Sequence, residues 1–431
     1  MPSMLTSLAN SYYQASTPAP RRYAPLQGQQ HADVAIIGGG YTGLSAALEL
    51  AKQGCRVILL EAEQLGFGAS GRNGGQINVG LACEQAELRR KVGSDNAAAL
   101  WQWSVEGVEL LRQRVRNYRI DCDLTDGCLL AAETPAQVRD LAAWQAELED
   151  SYDYRHLQLL EGSELSAAVG SPLYRAAVLD RFSGHLHPLK YLHGLAAAAH
   201  TAGVQIFEHS RVQHIEQGLN RARLSVNGGF VSADAVVLAG NAYNHALLPW
   251  RVQRSMPIGS FIGATAPLPD ALAAELIGSR AAVCSMNFVI DYYRLSADNR
   301  LLFGGRASVT GREPHNLEAL MRQRMASVFP QLAGYDFDYL WGGLLAMTVN
   351  RAPQFGRLGQ RLYFAHGYSG QGVALSGLAG VVLAEAISGK PERFNLFSRI
   401  PHAPVPPGAG LQTLARLGGV AWYQLRDRLG W

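Results

Sequence analysis

Lysine is almost missing from this chain. Only Lys52, Lys91, Lys190 and Lys390 occur in 431 residues, against 34 arginines. We read the bias as one of coding sequence, but it leaves no lysine for chemistry between Lys190 and Lys390. Net charge is also low: +3 at pH 7 gives no electrostatic footprint for a nucleic-acid partner. The five cysteines (Cys55, Cys83, Cys122, Cys128 and Cys284) lack CxxC spacing and the density of a disulfide scaffold. Their pattern points to a reducing compartment. No apolar run is long enough to cross a bilayer. Residues 1–30 lack the apolar core of a signal peptide, and Arg21-Arg22 leads into Tyr23-Ala24-Pro25 rather than an apolar run. The expected setting is cytoplasmic. The twelve histidines are dispersed; His185 and His187 are a close pair, and no metal site is expected from them.

Glycine is plentiful, and its first cluster is the most informative part of the chain. The apolar run Asp33-Val34-Ala35-Ile36-Ile37 leads into Gly38-Gly39-Gly40-Tyr41-Thr42-Gly43. That order describes a buried strand, a tight turn and a helix whose N-terminal amides face a pyrophosphate. Gly38 allows the turn, Gly40 lets the backbone approach the phosphates, and Gly43 lets the helix lie close to the strand. The helix continues through Leu44–Ala51 and stops at Gly54. Arg56-Val57-Ile58-Leu59-Leu60 is the next parallel strand, and Glu61 ends it where a carboxylate accepts both ribose hydroxyls. At this point the dinucleotide is either NAD or FAD.

Further along, Phe67–Gln76 is a glycine-dense loop too polar for a core. A helix begins near Ser94, with Leu100, Trp103, Val108, Leu111 and Val115 as its apolar stripe. Thr134-Pro135 opens another helix as N-cap and N1, running through Leu141 and Leu148. Trp103 and Trp144 are expected in the core. After His187-Pro188 a small-residue helix leads to the strand Val204–Phe207. Arg211–Glu216, Ala222–Val226 and Phe230–Ser232 read as an antiparallel meander turning at Asn227-Gly228-Gly229, closed by the buried strand Ala235–Gly240. From about residue 253 the pattern is of strands without crossover helices; Phe288–Leu295 and Arg300–Gly304 pair around Ala297-Asp298-Asn299. The chain then returns to α/β style with the strand Leu362-Tyr363-Phe364, the glycine loop Gly367–Gly372 and a helix from Val373 to Ile387.

This second glycine turn before a helix favours FAD. A reduced flavin carries negative charge on one edge of its ring, and a helix N-terminus with free amides stabilises it. Gly370-Gln371-Gly372-Val373 stands where such amides are needed. Together, these segments resemble the D-amino-acid-oxidase/glycine-oxidase superfamily of FAD-dependent amine oxidoreductases. The resemblance covers nearly the whole chain. It rests on Ser11-Tyr12-Tyr13, Gly38–Ser45, Gly66–Gln76, Ala239–Tyr243, Asp291–Leu295, Pro353–Leu358, Gly367–Gly370 and Leu425–Gly430. Within the superfamily the chain is most similar to the flavoenzymes of bacterial polyamine breakdown.

That resemblance implies an α/β plus α+β fold, with a Rossmann-like FAD-binding domain (31–115, 155–252 and 342–400). A discontinuous second domain (116–154 and 253–341) is built on an antiparallel sheet and carries the substrate. An N-terminal arm (1–30) and a C-terminal tail helix (401–431) flank them. It implies that Gly38, Gly40, Tyr41, Thr42 and Gly43 hold the FAD pyrophosphate and Glu61 the ribose. Ser70, Arg72, Asn73, Gly74 and Gly75 lie along the pyrophosphate and the inner flavin edge, with Gln76 close to the ring. Val212 meets the adenine, Gly240 lines the ribityl path, and Gly370, Gln371, Gly372 and Val373 face the ring. Neither Cys nor His occurs in the 72–75 loop and no cysteine in 340–372, so non-covalent FAD is expected.

The implied reaction removes hydride from the carbon beside a neutral amine, leaving an imine that water hydrolyses to an aldehyde. The implied substrate is a gamma-glutamylated polyamine. On the expected substrate strand, Tyr292 and Arg294 share one face and Tyr293 the other. Tyr292 and Arg294 are therefore the candidates for a substrate carboxylate, with Gln76, Trp341, Met347 and His366 bordering the ring. Oxygen is the expected acceptor, giving H₂O₂; another acceptor stays open, since no lysine is available to activate oxygen. An amino-acid or sarcosine-type oxidase and a non-catalytic nucleotide-binding escort are the other readings. The tail from Leu411 to Trp431 has helical apolar spacing and reads as a docking helix or a membrane-surface contact.

Overall fold

The computed structural model describes residues 11–287, 290–308 and 313–405; the expected tail helix lies outside them. Two β-sheets organise the chain. The first is mainly parallel and runs, in spatial order, Gln354–Leu358, Leu362–His366, Gly229–Leu238, Gly28–Ile37, Val57–Leu60 and Gln205–Phe207. Val212–Gln217 and Ala222–Val226 extend it as an antiparallel ladder on Gly229–Leu238. The buried second half of Gly28–Ile37, from Val34 on, and the strand Val57–Leu60 are apolar on both faces because helices cover the sheet. Helix Tyr41–Lys52 packs between Pro188–Thr201 and Leu375–Ile387. Gly43 makes the near approach possible, since a Cβ there would stand 2.0 Å from the Gly38 carbonyl oxygen.

The second sheet runs Phe337–Thr348, Ser255–Thr265, Leu301–Ser308, Tyr292–Leu295, Ala282–Ser285, Thr125–Ala132, Ala176–His185 and Gln76–Ile77, with Leu157–Leu160 paired to Ala176–His185. It is antiparallel except where Ala282–Ser285 lies parallel to Thr125–Ala132. Helix Pro135–Tyr152 lies over it, opened by the expected N-cap Thr134 with Pro135 behind it; Gln137 completes a capping box with Thr134.

Several expectations change. The last leg of the meander and the strand after it are one strand, Gly229–Leu238, whose first half pairs with Ala222–Val226 while its whole length runs parallel to Gly28–Ile37. Leu157–Leu160 and Ala176–His185, expected with the dinucleotide-binding segments, are hydrogen-bonded into the second sheet. On helix Ser94–Asn117 it is Trp101 that is buried, while Trp103 packs half-buried against Phe397. The helix after the second glycine turn starts at Leu375 rather than Val373, and a short helix, Glu392–Ser398, follows it. In the N-terminal arm, Tyr12–Ser16 is helical, with Ser11 Oγ accepting from Gln14 N at 3.2 Å. Tyr12 Oη donates to Asp298 Oδ1 at 2.6 Å, fastening the arm to the second sheet's hairpin.

Candidate active site

One cavity of about 820 Å³ joins the two sheets, toward the upper end of the ~300–1,000 Å³ typical of small-molecule sites. Its first end is the glycine turn. Gly38 has φ +107°, a left-handed conformation that closes the strand on the helix. Gly38, Gly40, Tyr41 and Thr42 line the cavity at the start of helix Tyr41–Lys52. The unpaired amides of that helix terminus suit a pyrophosphate. Glu61 accepts from Gly39 N at 2.7 Å and from Glu63 N at 3.0 Å, which fixes its carboxylate at the strand end. Burial raises its pKa above the ordinary carboxyl value, and these two amides oppose the shift. Val212 and Gly240 close this end.

The loop after the second strand forms the middle of the cavity. Ser70 Oγ accepts from Tyr41 N at 3.1 Å and so ties the loop to the helix start. Arg72 donates through Nε to Phe67 O (2.5 Å) and through Nη1 to Gly342 O (2.8 Å), joining the loop to the second sheet. Asn73 holds the turn together: its Nδ2 donates to Ala69 O at 3.0 Å and its Oδ1 accepts from Gly75 N at 2.8 Å.

Beyond the loop, Gly74, Gln76, Tyr292, Met347 and Gly370 to Val373 converge on the cavity. Gln76 Nε2 and Gln371 Oε1 are buried there without a hydrogen-bond partner. An orphan donor and an orphan acceptor in one cavity wall call for a polar ligand between them. A flavin ring edge, with carbonyl acceptors and an N–H donor, has the chemistry to meet both. Tyr292 Oη shares a hydrogen bond of 3.1 Å with Ser260 Oγ. Burial pushes its pKa up, so it remains a neutral hydroxyl at the wall.

Three expected catalytic residues do not reach the cavity. Arg294 is 2% exposed and engaged throughout, donating to Gly74 O (2.7 Å), Leu186 O (3.0 Å), Leu295 O (3.3 Å) and Tyr13 Oη (3.3 Å). It is a buried strut, and no donor is turned toward a substrate carboxylate. Trp341 is buried behind Arg72, donating to its carbonyl at 3.0 Å and meeting Tyr13 edge-on. His366 is buried in the first sheet against Phe364, with Nε2 2.9 Å from Gln354 Oε1. Gly43 and Gly75 also lie outside the cavity wall. Gly43 acts through helix packing, and Gly75 is pressed against the Leu186 carbonyl and Arg294.

The structure adds wall residues the sequence did not suggest. Ser260, Cys128, Cys284, Asp180 and Ser183 line the cavity, and so does Trp144, which was expected in the core. They come from strands and a helix far apart in the chain, and no local motif marks them. All five cysteines are free thiols. Among the described residues no lysine or histidine lines the cavity, and no helix is long and apolar enough to cross a membrane.

Known proteins with the same pattern can be set beside this geometry. Gamma-glutamylputrescine oxidoreductase of Escherichia coli is 40% identical over 430 residues, covering 99% of this chain and all of its own. A probable oxidoreductase, OrdL, of Haemophilus influenzae is 41% identical over 97% of both chains. Among solved structures, glycine oxidase from Geobacillus kaustophilus superposes with a TM-score of 0.72 at 23% identity, over 87% of this chain and all of that one, a likeness of fold. Residues 33–386 match the family described as FAD dependent oxidoreductase, and to that family of FAD-dependent enzymes this chain belongs.

Proposed function

We propose that this protein oxidises the C–N bond of a small amine, a gamma-glutamylated polyamine in particular, to an aldehyde. The observation that carries the reading is one continuous cavity lined by both the glycine turn and residues of the second sheet, with Gln76 Nε2 and Gln371 Oε1 unpaired in its wall. The name of the Escherichia coli relative supports the substrate class. Bound FAD would supply the hydride acceptor. Gly38 to Thr42 would hold its pyrophosphate and Glu61 its ribose, while Ser70, Arg72 and Asn73 fix the loop between them.

The residues near the ring position and exclude rather than transfer protons. Tyr292 and Ser260 offer a neutral hydroxyl pair that can orient an amine nitrogen lone pair. The apolar wall around them keeps water from the reacting carbon. Among the described residues no histidine or lysine of the wall is available as a general base, in keeping with hydride loss from an already neutral amine. The cofactor would be held without a covalent bond: Cys128 is a free thiol, and its hydrogen bond with the Cys284 thiol together with burial keeps it protonated. Oxygen is the proposed acceptor and the cytoplasm the proposed compartment.

The test is a flavin spectrum followed by anaerobic titration with gamma-glutamylputrescine, free putrescine and glycine. Bleaching by the conjugate at the lowest concentration supports the reading. Bleaching by glycine alone would replace it with an amino-acid oxidase. Stoichiometric H₂O₂ on readmitting air marks oxygen as acceptor; bleaching without H₂O₂ marks a dehydrogenase.

A further inference from the structure

The cavity continues past Tyr292 beneath the second sheet. There it passes between Trp144 of helix Pro135–Tyr152 and the strands Thr125–Ala132 and Ala176–His185. Trp144, Leu130 and Val178 make this arm apolar, and Asp180 with Ser183 stands in its wall. Strand geometry gives the arm its reach. Gln76 pairs with His185, and Asp180 is five residues back along the same strand, roughly 16 Å at ~3.3 Å per residue.

Asp180 is 6% exposed. It accepts from Tyr154 Oη at 2.8 and 3.0 Å, from Phe182 N at 3.0 Å, and from Ser183 N at 3.3 Å and Oγ at 2.5 Å. All of these donors are neutral. Among the described residues no lysine or arginine forms an ion pair with it. Arg112, which packs against this turn, gives Nη1 to Asp126 and Nη2 to the carbonyls of Phe182 and Ser183; its Nε has no partner, and none of its donors reaches Asp180. The neighbouring thiols Cys128 and Cys284 bring no positive charge. A buried carboxylate with hydrogen bonds but no cation leaves a negative potential in the cavity it borders.

We propose that Asp180 determines substrate specificity by reading a second positive group at the far end of the amine. The ligand class is an extended molecule with an amine to be oxidised, an apolar spacer along Trp144, Leu130 and Val178, and a distal ammonium. The inference rests on the amine reading above and sharpens it: a gamma-glutamyl conjugate presents its α-ammonium at that end. It also replaces Arg294, whose donors are taken, as the source of charge recognition.

The experiment uses the FAD-loaded protein and a series of α,ω-diamines of increasing length, each beside the 1-aminoalkane of equal length. Affinity is read from the flavin absorbance change under anaerobic conditions and from the shift in Tm. At one chain length the diamine should bind at least about tenfold tighter than its monoamine, the scale of a desolvated charge pair. Asp180→Asn keeps an acceptor for Phe182 and Ser183 but removes the charge. It should reduce that preference to within about twofold and leave monoamine affinity unchanged. Equal binding of diamines and monoamines at every length in the native protein would overturn the proposal, whether or not the variant folds. So would a preference that survives Asp180→Asn, or an equal loss for both ligand types. If no amine bleaches the flavin, the proposed reaction fails separately, because the Tm shifts still report which ligands bind.

Discussion

Around Gly38–Thr42 the cavity wall is main chain: a turn, a helix start and amides, all from one short stretch. Around Tyr292 it is side chains, gathered from strands that are neighbours in space and remote in sequence. Ser260 and Tyr292 share a hydrogen bond across 32 positions, and Asp180 lies well before both in the chain. The first wall tolerates no added volume, because the backbone itself is packed to contact. The second wall can change by single side chains without moving the sheet. A cofactor common to many reactions suits the first kind of wall, and substrate selection suits the second.

The largest effect expected from breaking this contrast is at Gly43. A Cβ there meets the Gly38 carbonyl at 2.0 Å, and neither backbone can yield. Gly43→Val should cost about 3 kcal/mol or more through overpacking, leaving purified protein colourless at 450 nm. Flavin retained in native proportion would show that the turn is not the cradle.

Next comes Arg294, which joins the two walls. Arg294→Met strands the carbonyls of Gly74 and Leu186 in a buried place, at about 2–4 kcal/mol in all. Tm should fall, and kcat/KM should drop by the same factor for glutamylated and free amines. A KM increase confined to glutamylated substrates would restore Arg294 as a carboxylate reader.

A pH effect of similar size follows from His185 and His187. Burial, aided by the Arg294 charge, lowers both to about 3 from an ordinary 6.5. Each stays neutral when folded and takes up a proton when unfolded, so its stabilising share is complete above pH 6.5 and lost as pH falls from 6.5 toward 3. The loss is about 1.4 kcal/mol per pH unit for each. Denaturant midpoints measured from pH 7 to pH 5 should decline, and His185→Asn should flatten the slope; an unchanged slope would remove His185 from the account.

Tyr292→Phe should have the smallest effect. Losing the hydroxyl shared with Ser260 should lower kcat/KM by about 1 kcal/mol, roughly fivefold, with FAD content intact. Loss of the flavin instead would mean that the second wall also holds the cofactor.

The contrast also explains what could be read in advance. The strand–turn–helix at Gly38, Glu61 at the next strand end and the cap at Thr134 are local devices, each complete within a few residues, and all three stand where periodicity and turn chemistry put them. The alternation of Tyr292, Tyr293 and Arg294 was legible too, and Tyr293 does face away, into a core with Phe303 and Phe329. What alternation could not tell was how far along its strand each residue stood from the cavity. Arg294 shares a face with Tyr292 and still ends under Gly74, because the loop bearing Gln76 passes over it.

The sequence by itself determined that this chain builds a dinucleotide turn, a second glycine-led helix and a strand-rich partner, since backbone geometry and helix-end electrostatics act over short range. Tertiary structure alone decided which side chains line the far part of the cavity. Burial and charge compensation depend on what other strands bring alongside, and so Arg294 became a strut while Asp180, in a stretch with no motif, became a buried wall carboxylate without an ion pair among the described residues.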